Sequence, residues 1–448
     1  MSKPKHTTFT GVFLKDTVHS TLLNIAGRSV GFFIPFFVAA WFGVSVGMDA
    51  FYIAFGVILF LSNIFFSTIS SVIVPALAGM QSNRGEEEKF IGSLFVSSSA
   101  LFVVVLAFCV FIWTGLGLAF PDIKSGFLTS IFVYILEMIP LGLFVVWGGI
   151  MEGIFFSRKV FHLPPLSLLI RSALIIACIF FMKDIFGIHA IGIGYIAGEG
   201  IRFLFLLIAS RIRKLSAVVF GFHLSENFRI FLRTAIFQII GITARAFLPV
   251  IDQVMASFIG REGSVSLLYY TDRLFNIPVI FLSSGLMVTL LSYWSSDYAT
   301  IPEHSLRKDM NKVIRVVSVI GTLLTAAVVF LSGYFVPLIY GYGKMTAEDI
   351  DTIKSLLVLY FIGFTPAMAS QIFARAFTVM GKTKYIMITA LVLFVVNILG
   401  NLILIQFIGI YGIALSTSIV TCTGAAVQGV LFYRLTKIRM IKSYKFVK

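Results

Sequence analysis

The chain has 448 residues, 58% of them hydrophobic and 12% charged, with a mean hydropathy of +1.00 and a formal net charge of +15. Soluble domains carry about 25% charged residues, so this composition argues against a water-soluble fold. The basic residues are scattered through short connecting loops and form no stripe interleaved with aromatics, which argues against nucleic acid as a partner and for topology control by positive charge.

The start, MSKPKH, is basic, and the first apolar run contains Arg28. That run is too long and too polar for a cleaved signal and is expected to stay as a first helix. Apolar runs between polar breaks then predict spans near 20–43, 50–78, 90–119, 127–156, 166–182 and 190–209. A basic connector follows at 210–229, and six further spans are predicted near 231–259, 264–296, 312–335, 354–380, 384–407 and 410–433. Alternating strand-length segments are not seen, which argues against an outer-membrane barrel. Cys109, Cys178 and Cys422 fall in spans without metal-like spacing, and the histidines are never clustered, so neither a metal nor a cofactor is expected.

Loop charge sets the expected orientation. One side receives the basic amino terminus, Arg84, Lys89, Arg158, Lys159, Arg211, Arg213, Lys214, Arg307, Lys308, Lys382, Lys384 and the tail from Arg434. The other receives only Lys124, Lys183, Arg261 and Lys344. This imbalance predicts both termini in the cytoplasm and an even number of helices. The fold class expected is an all-α polytopic membrane protein with twelve transmembrane helices in two six-helix lobes, 1–224 and 225–448. Shifting one half by 217 residues places Arg28 on Arg245, Gly43 on Gly260 and Tyr52 on Tyr269, which suggests a parallel repeat. Transporters built that way hold substrate between their halves.

An ionised side chain at mid-bilayer costs about 2.5–3.5 kcal/mol, so such residues usually face a cavity or a partner. Arg245 lies on the order of 15 Å from the cytoplasmic end of the seventh predicted span. Asp252 follows two turns later on a similar face, and Glu137 and Glu199 are expected well inside their spans. Arg171 and Arg375 lie close enough to span ends to snorkel, whereas Arg28 and Arg202 stand between that reading and a buried role. Glu152, near a span end, says little by position, and GEEEK at 85–89 reads as a solvated loop.

The stretch SLLYYTDRLFNIPV (266–279) puts Asp272 and Arg273 side by side in an apolar run, about 100° apart on a helix. Arg273 is expected to face a cavity while Asp272 braces it or a neighbouring helix; the rival expectation is an ion pair that locks helices. Pro278 removes a backbone donor just beyond and favours a kink. Tyr269 and Tyr270 suit either packing or stacking on a sugar face.

Three stretches, GMDAFYIAF (47–55), SVSLLYYTDRL (264–274) and YGYGKMTAEDI (340–350), resemble the MurJ/MviN family of lipid-linked glycan flippases, within the multidrug/oligosaccharidyl-lipid/polysaccharide exporter superfamily. The resemblance implies two pseudo-symmetric six-helix lobes around a central cavity, and alternating access that moves a polyprenyl-diphosphate-linked sugar across the cytoplasmic membrane. It implies substrate contact at Arg28, Asp49 and Arg273, with Arg245 added from the internal repeat. Asp252, Asp272, Glu137, Glu199 and Arg202 stand as coupling or cavity residues. Two family arginines fall here on Ile34 and Ser62, and only twelve spans are read, which leaves the glycan open between lipid II and another polysaccharide unit. Arginine suits a diphosphate because its fork donates paired hydrogen bonds. A monomer is expected, in contact with envelope polysaccharide biosynthesis enzymes. The rivals are a drug or cation antiporter of the same superfamily, which needs a carboxylate-dominated cavity, and a membrane-embedded glycan enzyme, which needs a polar catalytic loop that the short connectors do not supply.

Overall fold

The computed structural model describes residues 30–80, 84–119, 125–158, 160, 162–215, 221–223, 226, 228–229, 243, 247–282, 303–380 and 382–446. Among them the secondary structure is helical, without strands. We number the helices α1 (Val30–Phe42), α2 (Val46–Gly79), α3 (Arg84–Ala119), α4 (Ser125–Glu137), α5 (Ile139–Ser157), α6 (Leu163–Phe186) and α7 (His189–Ile212). The second half supplies α8 (Leu248–Ser257), α9 (Ser264–Leu282), α10 (Glu303–Tyr340), α11 (Ala347–Ile362), α12 (Phe364–Val379), α13 (Thr383–Ile408) and α14 (Ile410–Phe446). Eight described helices are long and apolar enough to cross a bilayer, and α11 with α12 makes a ninth if the bent pair is one span. A backbone in hydrocarbon has no water to bond, so its polar groups must be satisfied inside each segment, and the helix does that.

Two predicted spans are interrupted. The run at 127–156 breaks at Met138, whose φ and ψ of −91° and 6° leave the helical region, and Pro140 stands at the start of α5. Proline has no N–H to continue the ladder from α4 but suits the first turn of a new helix. The run at 354–380 bends by 43° at Gly363. There α14 approaches so closely that a β-carbon would sit 2.4 Å from Thr421 Oγ1 and 2.8 Å from the Ser418 Cα. Its hydroxyls take over the disturbed backbone bonds: Ser418 Oγ accepts from Gly363 N at 3.1 Å and donates to Leu359 O at 2.6 Å, and Thr421 donates to Gly363 O.

The GEEEK stretch is not a loop. It forms the first turns of α3, and Glu87, 2% exposed, accepts from Arg158 Nη2 at 2.6 Å through both oxygens. The acidic run complements the positive end of the helix, and Glu87 turns inward onto α5. The motif at 340–350 also has a structural role. Thr346 and Asp349 form a capping box that starts α11, each side chain satisfying the other's backbone N–H.

Contacts divide the chain into two compact units, Met1–Phe42 with Val46–Thr243, and Gly43–Ser45 with Ala244–Lys448. In the first, α2 packs on α5, and α6 pairs with α7; in the second, α14 packs on α12 and α13, and α9 on α11. One turn recurs. Gly187 between α6 and α7 (φ 55°, ψ −134°) and Gly409 between α13 and α14 (φ 57°, ψ −133°) both reverse the chain in a conformation that favours glycine. Gly43 and Gly260, aligned by the 217-residue offset, also share positive φ, at 69° and 77°.

Candidate functional site

In the first unit, close helix contact builds a charged network. Helix α7 carries Gly194-Tyr-Ile-Ala-Gly198, a small-xxx-small stripe of the kind that lets membrane helices approach. A β-carbon on Gly198 would meet Ile175 Cγ1 at 2.4 Å and the Arg171 carbonyl at 3.0 Å. The next residue, Glu199, is thereby brought to α6, where its Oε1 lies 2.9 Å from Arg171 Nε. Its other oxygen accepts from Arg202 Nη1 at 3.1 Å, and Arg202 Nη2 donates to Glu152 of α5 at 2.6 Å. The guanidinium threads between α5 and α7 because Gly148 has no side chain; its Nη1 would stand 3.3 Å from a β-carbon there. The Arg202 carbon lies 5.9 Å from the centre of the Phe66 ring on α2. Two arginines and two glutamates balance in charge, and Glu199, Arg202 and Glu152 are all buried.

This network corrects the expectation for Arg171 and decides what the sequence left open for Arg202 and Glu152. Arg171 does not simply snorkel, because its Nε is sealed against Glu199. Arg202 is buried and paired, and Glu152 is one of its two partners. Arg375 is exposed one turn from the end of α12. Glu137 is likewise not well inside a span. The break after it leaves its carboxylate at the end of α4, 40% exposed and 2.8 Å from His189 Nδ1 at the first residue of α7.

The second unit holds a carboxylate of another kind. Asp252 lies on α8, a short helix opened by Pro249. Its Oδ1 accepts from Asn397 Nδ2 at 3.0 Å and Asn401 Nδ2 at 2.7 Å, and its Oδ2 accepts from Thr417 Oγ1 at 3.2 Å. Among the described residues no lysine or arginine forms an ion pair with it. Asn397 and Asn401 went unnoticed in the sequence, although two amides at i,i+4 in an apolar helix mark one polar face.

On α9, Arg273 lies with its guanidinium carbon 4.4 Å from the centre of the Tyr269 ring, one turn back. Asp272 is half-buried, and its carbonyl accepts from Asn276. The tyrosine pair packs. Tyr270 is fully buried and donates to Gly43 O at 3.1 Å, while Tyr340 donates to the Tyr270 carbonyl at 2.9 Å. Stacking of a sugar on Tyr270 is therefore ruled out by burial, and one face of Tyr269 is taken by Arg273. The helix continues through Pro278. Asp49 is buried in the first turn of α2, where an acid complements the helix dipole. Ile34 is buried, and Ser62 turns its hydroxyl back to Ile58 O at 2.6 Å, so neither offers a charge. Arg28 and Arg245 lie outside the described residues.

Comparison with known proteins gives one consistent picture. The probable lipid II flippase MurJ of Buchnera aphidicola subsp. Acyrthosiphon pisum is 25% identical over 418 residues, covering 91% of this chain and 81% of that relative. The lipid II flippase MurJ of Burkholderia cenocepacia is 23% identical over 426 residues, covering 90% and 81%. Among solved structures, lipid II flippase MurJ in an inward closed conformation superposes with a TM-score of 0.74 at 23% identity, covering 93% of this chain and 86% of that one. An inward-facing multidrug resistance transporter of the MATE family and MOP superfamily reaches 0.75 at 13% identity, covering 93% and 98%. These likenesses establish the fold. Residues 38–448 match the family described as lipid II flippase MurJ, and the chain belongs to that family.

Proposed function

We propose that this multi-pass membrane protein moves a polyprenyl-diphosphate-linked glycan precursor, lipid II or a related envelope unit, across the cytoplasmic membrane by alternating access. Family membership across residues 38–448 carries the reading, and the placement of Arg273 supports it. An arginine in a membrane helix, with one guanidinium face on a tyrosine, keeps its donors directed along the ring plane, where paired bonds to phosphate oxygens form. Arg28, Arg245 and Asp49 complete the headgroup contacts in this reading. A headgroup held by such donors need not cross hydrocarbon unaccompanied, and the tail stays in lipid.

Asp252 is the group we assign to energy coupling. Among the described residues its charge is met by neutral donors only, so a proton or other monovalent cation arriving there finds a carboxylate that these donors do not neutralise. The same feature favours the second reading, an antiporter of organic cations. Loop charge supports placing both termini in the cytoplasm, and we take the working unit to be a monomer.

The test is rescue of a strain depleted of its lipid II flippase, joined to transfer of fluorescent lipid II in vesicles. Wild-type protein is expected to rescue and to transfer. Arg273→Ala is expected to abolish transfer, and Arg273→Lys to fall well below wild type, because lysine keeps the charge but loses the fork. Transfer of an organic cation with none of lipid II would establish the second reading instead.

A further inference from the structure

Arg171 has features that its role as a partner of Glu199 does not use. Only its Nε is sealed inside the protein, beside Glu199 Oε1. The side chain is 24% exposed, against 4% for that of Glu199, so its terminal nitrogens reach open space. Helical geometry says where that space is not. Phe181, Asp184, Ile185 and Phe186 are exposed at the end of α6, and between Leu163 and Phe180 its exposed residues are Leu166, Ala173 and Phe180. At about 100° per residue, all three fall within about 40° of the direction opposite Arg171. At its own depth the arginine therefore opens away from the exposed apolar residues of α6, about 100° round the helix from Ser172, which approaches Gly31 of α1. It also lies about 12 Å along α6 from Leu163, deep enough that a bare charge needs a wet or anionic environment.

We propose that Arg171 is a further anion-binding residue, contacting the phosphate-bearing headgroup from α6, with Glu199–Arg202–Glu152 as the brace that positions it. The inference rests on the flippase reading and extends it to a residue outside the motifs. Holding Nε leaves Nη1 and Nη2, the pair that forms a two-bond fork with a phosphate. The brace matters because an arginine fixed before the ligand arrives loses less side-chain freedom on binding. Glu199 also has Arg202 as a second partner, so Arg171 can lean toward a ligand without leaving that carboxylate unpaired.

The test measures binding of undecaprenyl diphosphate and of undecaprenol, which has the same tail and no phosphate, to purified protein in nanodiscs. Wild type is expected to prefer the diphosphate. Arg171→Gln should weaken diphosphate binding about tenfold or more while leaving undecaprenol unchanged, and Arg171→Lys should recover part of the loss. In the unaltered protein, phenylglyoxal labelling of Arg171, read by peptide mass spectrometry, should fall with undecaprenyl diphosphate and not with undecaprenol. Wild type indifferent to the phosphate would overturn both the flippase reading and this one. A wild-type preference retained by Arg171→Gln, or labelling of Arg171 that the diphosphate leaves unchanged, would overturn this inference alone. A binding loss that tracks a lowered melting temperature, with no recovery in the lysine variant, would reduce Arg171 to a structural role.

Discussion

The two units bury their carboxylates in opposite ways. In the first, Glu152 and Glu199 are matched by Arg202 and Arg171, and the network has no net charge. In the second, Asp252 is surrounded by two amides and a hydroxyl, which satisfy its lone pairs without cancelling its charge. A balanced network resists change at its centre, since removing Arg202 strands Glu152 and removing Glu152 leaves Arg202 short of a partner in a poorly solvating interior. A carboxylate among neutral donors can gain or lose a cation without stranding anything. The contrast assigns bracing to the first and responsiveness to the second.

Three substitutions probe that contrast. The largest effect is expected for Glu152→Gln, which leaves Arg202 short of a charge partner and should destabilise the protein by about 3–5 kcal/mol. Thermal unfolding in detergent checks it. The pair Glu152→Gln with Arg202→Gln should recover much of the loss, and if the double variant is no more stable than the single, the network is not held by charge balance. Next comes Gly198→Ala. The added methyl meets Ile175 Cγ1 at 2.4 Å and pushes α7 from α6, for an expected loss of about 1–3 kcal/mol. Its sharper reading is the Glu199–Arg171 pair, which should weaken with it; stability equal to wild type would mean that the helices give way freely. The smallest change in stability is expected for Asp252→Asn, within about 1 kcal/mol, because the amide fits the same pocket of neutral side chains. Transfer by this variant should nevertheless lose its dependence on a proton or sodium gradient. A melting loss as large as that of Glu152→Gln would erase the distinction between the two groups.

Much of the candidate site was legible as residue types and little of it as geometry. Asp252, Glu199 and Arg202 stand out because each is a charge in an apolar run. Glu199 and Arg202 are three residues apart on one helix, and that contact follows from spacing alone. The partners of Asp252 lie 145 to 165 residues away in sequence, and no spacing rule reaches them. Arg171 reads as a snorkelling residue when its depth is judged from an apolar run; only the contact with Glu199 shows that its Nε is held.

Composition by itself determined that this is a helical membrane protein, because hydrocarbon leaves a backbone no other partner than its own segment. Local chemistry added the capping box at Thr346 and the divergence of Asp272 from Arg273, both matters of a few residues. Which helices touch, where Met138 and Gly363 interrupt a span, and which buried acid receives an arginine rather than an amide were decided in three dimensions. These choices depend on the rotation and depth at which helices meet, and small residues such as Gly148 and Gly198 set that contact only once a neighbour is there to fill the space.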